Sequence, residues 1–336
     1  MTTINPLLLL RNSTFIILPL LLLAGCNGKK TNNNTTPATE ETVSRGPQFN
    51  ADSAYAFCAA QCDFGPRTMN SEAHEKCAEW IVGKFKEYGC DVIAQKATLT
   101  GYNGTSLNST NIIASIYPER TTRILLCAHW DSRPWADNDE DEKNHHTPVM
   151  AANDGASGVA VMIELARIIR QDSSLNVGID FVCFDAEDWG VPQWADGIDS
   201  DSWALGAQHW ASHFAGPKYE YAILLDMVGG QGAKFYREQY SMEHARNVVE
   251  KVWKAAGTAG YGSLFVKKDI GYITDDHVPV NETAHIPCID VINHYPDCQQ
   301  SSFGPTWHTV SDDMQHIDKN TLQAVGQTLL QLIYSD

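Results

Sequence analysis

The sequence predicts an α/β fold with a mostly parallel sheet flanked by helices, on three observations. Short runs rich in β-branched and aromatic residues alternate along the chain with segments whose apolar residues recur at helical spacing. The run from Gly178 to Phe184 carries no charge in its second half, as befits a strand covered on both faces. Several such runs stop abruptly at a carboxylate or an imidazole, and an open α/β sheet binds its ligands in the crevice outside the carboxyl ends of its strands. At 336 residues the chain is long enough to bury one large core.

The first 25 residues read as an address rather than as part of that core. An apolar stretch, 15–23, short for a stable membrane span, runs into "LAGC" at 23–26, with small residues just before a cysteine. It resembles a bacterial lipobox, which implies a lipoprotein signal peptide over 1–25, cleavage before Cys26 and acylation of the Cys26 thiol. Residues 26–47 are polar and predict a disordered tether. No break in composition follows, so 48–336 is expected to be a single α/β domain.

Within that domain, residues 71–89 have a serine cap, apolar residues at helical spacing (Cys77, Trp80, Ile81, Phe85, Tyr88) and a terminal glycine, which predict a helix. Residues 90–100 alternate like a strand. The stretches 110–118 and 123–128 read as two adjacent strands, the second running into His129 and Asp131. Residues 132–152 have no period and mix Trp135, five acidic residues, His145 and His146; a solvated surface loop is expected. "NDGASG" at 153–158 leads into a helix over 159–170, which puts Asp154 in a glycine-rich loop at a helix start. The strand 178–184 exits into "DAED", with Asp185, Glu187 and Asp188, and a second aperiodic insert, 191–201, carries Trp194. A helix over 202–214 and an apolar strand over 221–229 containing Asp226 come next. They are followed by a capped helix over 241–257, a mostly loop region with "ITDDHVPV" at 273–280, and a strand within 286–296. The loop 303–313 and a helix over 319–334, capped by Asp318, close the chain.

The formal net charge of -17, with no basic stripe to offset it, argues against nucleic acid or an anionic membrane surface as partner. Of nine cysteines, eight remain beyond Cys26. Cys127 and Cys183 lie inside apolar strand patterns and read as buried free thiols, whereas Cys288 and Cys298 flank a loop and could pair. No two are spaced C-x-x-C, which removes the usual thiolate zinc site.

Seven groups from separate segments are delivered to strand ends or nearby loops: His129, Asp131, Asp154, Glu187, Asp188, Asp226 and His308. Oxygen and nitrogen donors without thiolate suit a catalytic zinc, which keeps one coordination position open for substrate. Dinucleotide and P-loop glycine patterns are absent, and so is a G-x-S-x-G elbow.

"HWD", "NDGASG", "FDAED", "LLD" and "WHT", in that order and at those intervals, resemble the zinc-dependent M28 peptidase family over the whole chain after the tether. The resemblance implies three layers, with a central mixed, mostly parallel twisted sheet between helices, as in zinc exopeptidases. In the family's two-metal aminopeptidases, positions matching His129 and Asp226 hold one zinc, Asp188 and His308 the other, and Asp154 bridges. Further details are more similar to the glutaminyl cyclase branch: Trp307 directly before His308, Asp275, Asp276 and His277 followed by "VP", Phe303 before the last motif, Trp194 after the acidic pair, and "FGPR" at 64–67. That branch implies a single zinc on Asp154, Asp188 and His308, with His129 left as a second-metal candidate or a support behind the ligands. It also implies Glu187 as proton shuttle with Asp226 and Asp275 in an acidic chain beside it, and Trp194, Trp307 and Phe303 around the substrate. Two departures stand out: Asp188 where the family commonly has glutamate, and Thr274 where the animal enzymes have glutamine.

The resemblance thus implies a glutaminyl-peptide cyclotransferase, with a two-zinc aminopeptidase and a non-enzymatic binding module as alternatives. Its expected partners are peptides or proteins with N-terminal glutamine, and it is expected to act as a monomer in the bacterial cell envelope, touching the membrane only through its lipid.

Overall fold

Strand β4 (Gly178–Phe184) coincides with the uncharged run read from sequence, and all seven of its residues are buried. The computed structural model describes residues 46–195 and 200–335, so the proposed signal peptide, the Cys26 lipid site and nearly all of the tether lie outside the described residues. In chain order the helices are α1 (Ala51–Cys62), α2 (Glu72–Glu87), α3 (Ala156–Ile169), α4 (Leu205–Ser212), α5 (Gln239–His244), α6 (Arg246–Thr258), α7 (His277–Glu282) and α8 (Lys319–Ile333). The other strands are β1 (Asp91–Thr100), β2 (Ser106–Ile116), β3 (Arg123–His129), β5 (Ala222–Asp226), β6 (Phe235–Arg237), β7 (Phe265–Asp269) and β8 (Cys288–Ile292).

Six strands form one mixed sheet in the order β1-β2-β4-β3-β5-β8. The pairs β4/β3, β3/β5 and β5/β8 are parallel, while β1/β2 and β2/β4 are antiparallel. Because successive side chains of a strand point to opposite faces, β3 sends Ile124, Leu126 and Ala128 into the larger core cluster and Leu125 and Cys127 into the smaller. Helices α1, α3, α6 and α8 feed the first, α4 and α7 the second, which yields the three expected layers. Every residue of α3 except Arg167 is buried. Gly158 lets this helix settle on the sheet: a Cβ there would stand 2.1 Å from the Leu225 carbonyl oxygen and 2.8 Å from the Ala128 methyl.

Several expectations need correction. The stretches read as adjacent strands, β2 and β3, are neighbours in sequence only, for β4 pairs between them. The helix expected over 202–214 starts later, at Leu205, after Ala204 takes a left-handed conformation (φ 53°). The one expected over 241–257 breaks at Ala245 (φ -144°) into α5, capped by the Glu238 carboxylate, and α6. The "DDHVPV" segment, expected as loop, contains the short helix α7. The loop 132–152 is not simply solvated: Ser132, Arg133, Ala136, Asp137, Val149, Ala151 and Ala152 are buried. Cys288 does not pair with Cys298; all eight cysteines among the described residues are free, and Cys288 faces inward toward Cys127. Helix α1 was not anticipated, because its apolar residues are spread round its circumference rather than gathered in a stripe.

Candidate metal centre

The parallel strands β3, β4 and β5 end side by side, and each delivers groups to the same rim. β3 ends on His129 with Asp131 two residues further, β4 exits into Asp185, Glu187 and Asp188, and β5 ends on Asp226. Asp154 arrives from the turn that opens α3, Asp275 from the turn before α7, and His308 from the loop between β8 and α8. All of these side chains are buried.

His308 Nε2 lies 3.1 Å from Asp188 Oδ1 and 3.6 Å from Asp154 Oδ2. His129 Nε2 lies 2.9 Å from Asp154 Oδ1 and 3.3 Å from Asp226 Oδ1. Asp154 therefore stands between two imidazoles with one oxygen toward each. His129, Asp154 and Asp188 also present ligand atoms all within 4.8 Å of one another. Asp188 Oδ2 and Asp226 Oδ1 are buried without an aligned hydrogen-bond donor. Such an oxygen is costly to bury, and a cation removes that cost. Carboxylate and imidazole donors together, with no thiolate, fit zinc.

The backbone around these ligands is tied down from behind. The Asp131 carboxylate accepts the amides of Glu187 (3.1 Å) and Asp188 (3.2 Å). Asp312 does the same for Asn153 (2.8 Å) and Asp154 (3.0 Å). Three non-glycine residues at or beside the ligands take left-handed conformations: Ala186 (φ 54°), Met227 (φ 48°) and His308 (φ 53°). Each such conformation costs on the order of 1 kcal/mol and persists only where its surroundings over-determine it.

Crowding of charge sets the protonation states. Burial, with Asp188 alongside, pushes the Glu187 carboxyl well above the usual carboxylate range. Asp275 is raised likewise by burial and by Asp226 and Asp276. Burial and Asp188 bring Asp154 up to about 6. Burial would also raise Asp188, but the His308 imidazole beside it holds it below its ordinary value. Burial opposes a charge on His308 in turn, yet the attraction of Asp188 carries it up to about 9.

A cavity of about 450 Å³ opens over the centre, with Asp154, Glu187, Asp188, Asp226, Asp275 and His308 in its wall. Trp307 stacks on His308 at 3.8 Å between ring centroids, Trp203 lies near-parallel to the same ring at 6.0 Å, and Phe303 packs on Trp307 at 5.1 Å. Two larger cavities, about 680 and 870 Å³, are lined by none of the motif residues.

Of the residues singled out from sequence, Asp154, Asp188, His308, His129, Glu187, Asp226, Asp275, Trp307 and Phe303 come together here. Trp194 does not: it packs against Trp135 and His146 and is 42 % exposed, and Trp203 stands in the cavity wall instead. Sequence reasoning missed Trp203, Asp312 and Asp137, whose Oδ1 lies 3.4 Å from His308 Nδ1. Asp137 could have been found from its i,i+4 spacing to Arg133 just after "HWD".

The family model "Peptidase family M28" matches residues 111–333. The aminopeptidase YwaD of Bacillus subtilis (strain 168) is 28 % identical over 271 residues, covering 76 % of this chain and 50 % of its own length, so the chain spans about half of that relative. A solved glutaminyl cyclase of Bacteroides thetaiotaomicron, bound to N-acetylhistamine, superposes with a TM-score of 0.84 at 49 % identity over 87 % of this chain and 100 % of its own. A structure described as a leucine aminopeptidase precursor from Bacteroides thetaiotaomicron VPI-5482 does so with a TM-score of 0.83 at 49 % identity, over 88 % and 100 %.

Proposed function

The chain belongs to peptidase family M28, and from that premise we propose that it is a glutaminyl-peptide cyclotransferase, which closes N-terminal glutaminyl residues to pyroglutamate, releases ammonia and uses one zinc ion per chain. The observation that carries this reading is the cavity wall: two buried carboxyls outside the ligand set, Glu187 and Asp275, both inclined to hold a proton, share it with the rings of Trp203, Phe303 and Trp307. Its likeness to a solved glutaminyl cyclase adds support. An N-terminal glutamine already carries both nucleophile, the α-amine, and electrophile, the γ-amide. The enzyme therefore has to move a proton and exclude water rather than activate one.

Asp154, Asp188 and His308 would hold the metal, which when bound supplies Lewis-acid polarisation of the γ-carbonyl and offsets the negative charge that develops on its oxygen. In its ionised form Glu187 takes a proton from the α-amine as that nitrogen bonds to the γ-carbon, and its raised affinity for that proton favours the transfer. It returns the proton to the amide nitrogen as the carbon–nitrogen bond breaks and ammonia leaves. Asp226 and Asp275 form the acidic chain beside it, with Asp226 raising the hold of Asp275 on its proton. Trp307, Phe303 and Trp203 bracket the substrate and keep out water that would hydrolyse the amide. Purified protein should release ammonia from a Gln-initiated peptide, with one zinc per chain and competition by N-acetylhistamine. No ammonia at any zinc loading removes the proposal.

A second reading rests on His129 Nε2, which reaches both Asp154 and Asp226 and would hold a second zinc in a two-metal aminopeptidase. Two zinc ions per chain together with cleavage of a leucyl amide would favour it. We further propose that Cys26 carries a lipid that holds a monomeric catalytic domain in the bacterial envelope, facing peptides rather than nucleic acid. Metabolic labelling with a fatty acid should mark the protein, and C26A should abolish the label.

A further inference from the structure

The loop after "HWD" connects two ligand segments that are 120 residues apart in sequence. Arg133 and Asp137 form a buried ion pair, with Nη2 2.6 Å from Oδ2 and Nε 3.1 Å from Oδ1. On one side, Arg133 Nη1 donates to the backbone carbonyls of Asp188 (2.9 Å) and Gly190 (3.0 Å), and the guanidinium lies 4.6 Å from the Trp203 ring centre. On the other side, Asp137 Oδ1 faces His308 Nδ1 at 3.4 Å, opposite the Nε2 that points at Asp154 and Asp188. Asn138 completes the grip: its amide donates to the His308 carbonyl (3.0 Å), and its Nδ2 donates to the Trp307 carbonyl (3.2 Å). Asp139 Oδ2 accepts the amide of Val310 (3.1 Å).

We propose that residues 133–139 are a positioning strap that sets how tightly the centre holds its metal, an inference that rests on the assignment of Asp188 and His308 as ligands. Three facts lead to it. His308 sits at a positive φ that a histidine adopts only under constraint, and the strap holds its ring and its carbonyl at once. A carboxylate on the far nitrogen fixes the tautomer and the ring orientation of a metal-binding imidazole, and loss of such a partner typically weakens metal binding ten- to a hundredfold. Arg133, being bidentate, fixes the distance between the two ligand segments, which a lysine with a single point of charge would not. The strap residues are positioning residues: none of them lines the cavity over the centre.

The test is zinc affinity by competition with a chelator, read on folded protein, with circular dichroism and thermal melting of the metal-free chain as the second readout. D137N is expected to keep its fold and lose about ten- to a hundredfold in zinc affinity. N138A, which leaves the ion pair in place, is expected to melt like wild type and lose severalfold. D180N breaks an equally buried pair far from the centre and should lower the melting temperature without changing the zinc affinity of the folded fraction. Wild-type affinity in both D137N and N138A overturns the strap, as does an equal loss in D180N. Wild type that binds no zinc overturns the ligand assignment itself, a different result from wild type that binds and variants that bind as well.

Discussion

At the amino ends of β3 and β4, Arg123 and Asp180 form a buried pair that closes on itself; at the carboxyl ends of the same strands, Arg133 and Asp137 form another that stands among groups left open. Asp180 receives Arg123 through two nitrogens and the Tyr219 hydroxyl at 2.7 Å, and the remaining Arg123 nitrogen donates to the Tyr117 carbonyl. In the cavity beside the second pair, Asp188 Oδ2, Asp226 Oδ1 and Asp275 Oδ2 are buried without an aligned hydrogen-bond donor. Burial is the same at the two poles, so burial does not separate them. Completeness of pairing does. A closed polar network holds strands together, whereas an open one stores unmet demand that a metal and a substrate's protons can meet.

That contrast can be broken most sharply at the open pole. Glu187→Gln removes the proton carrier and should cut turnover by about 10²- to 10⁴-fold while zinc content stays at the wild-type value; full activity would mean that another group moves the proton. Asp154→Ala should lose both. At the closed pole, Arg123→Met leaves the buried Asp180 without its counter-charge, at an expected cost of about 3–5 kcal/mol in denaturant unfolding. Zinc affinity of the folded protein should not move, and a parallel loss there would erase the distinction.

The pH dependence of metal binding sharpens the comparison further. Without metal, His308 holds its proton up to about 9 and Asp154 up to about 6. Zinc has to displace those protons, so affinity should rise with pH: about tenfold per unit between 6 and 9, more steeply below 6 where two protons leave, and level above 9. A flat profile over that range would show that neither group is a ligand. The smallest effect separates two tryptophans. Trp203→Ala should raise KM about tenfold for a Gln-initiated peptide, and Trp194→Ala should stay within about twofold, since Trp194 packs against Trp135 and His146 away from the cavity.

The legible parts of this molecule were those written in local periodicity. β4 was read to the residue, α8 and the Ser71 cap of α2 nearly so, because alternation, helical spacing and capping side chains are properties of neighbours along the chain. The break at Ala245 was not legible, because nothing in the residue itself marks it; the turn lets α5 meet β8 while α6 lies along α8. Trp194 came from the family resemblance alone; it packs against Trp135 and His146, and Trp203, nine residues later, is the ring that joins Trp307 beside His308.

From the order of side-chain types alone followed the α/β class and the strand ends that carry acid and imidazole, while Asp275, Trp307 and Phe303 followed from the family resemblance. Tertiary structure alone decided that β4 inserts between β2 and β3, that residues 133–139 turn inward as a strap, and that one aspartate oxygen faces each of two imidazoles. The reason is physical. Periodicity records which face of its own element a residue occupies, but the pairing of elements, the turning of a loop and the completeness of a polar network depend on partners a hundred or more residues away, and those are settled only when the whole core closes.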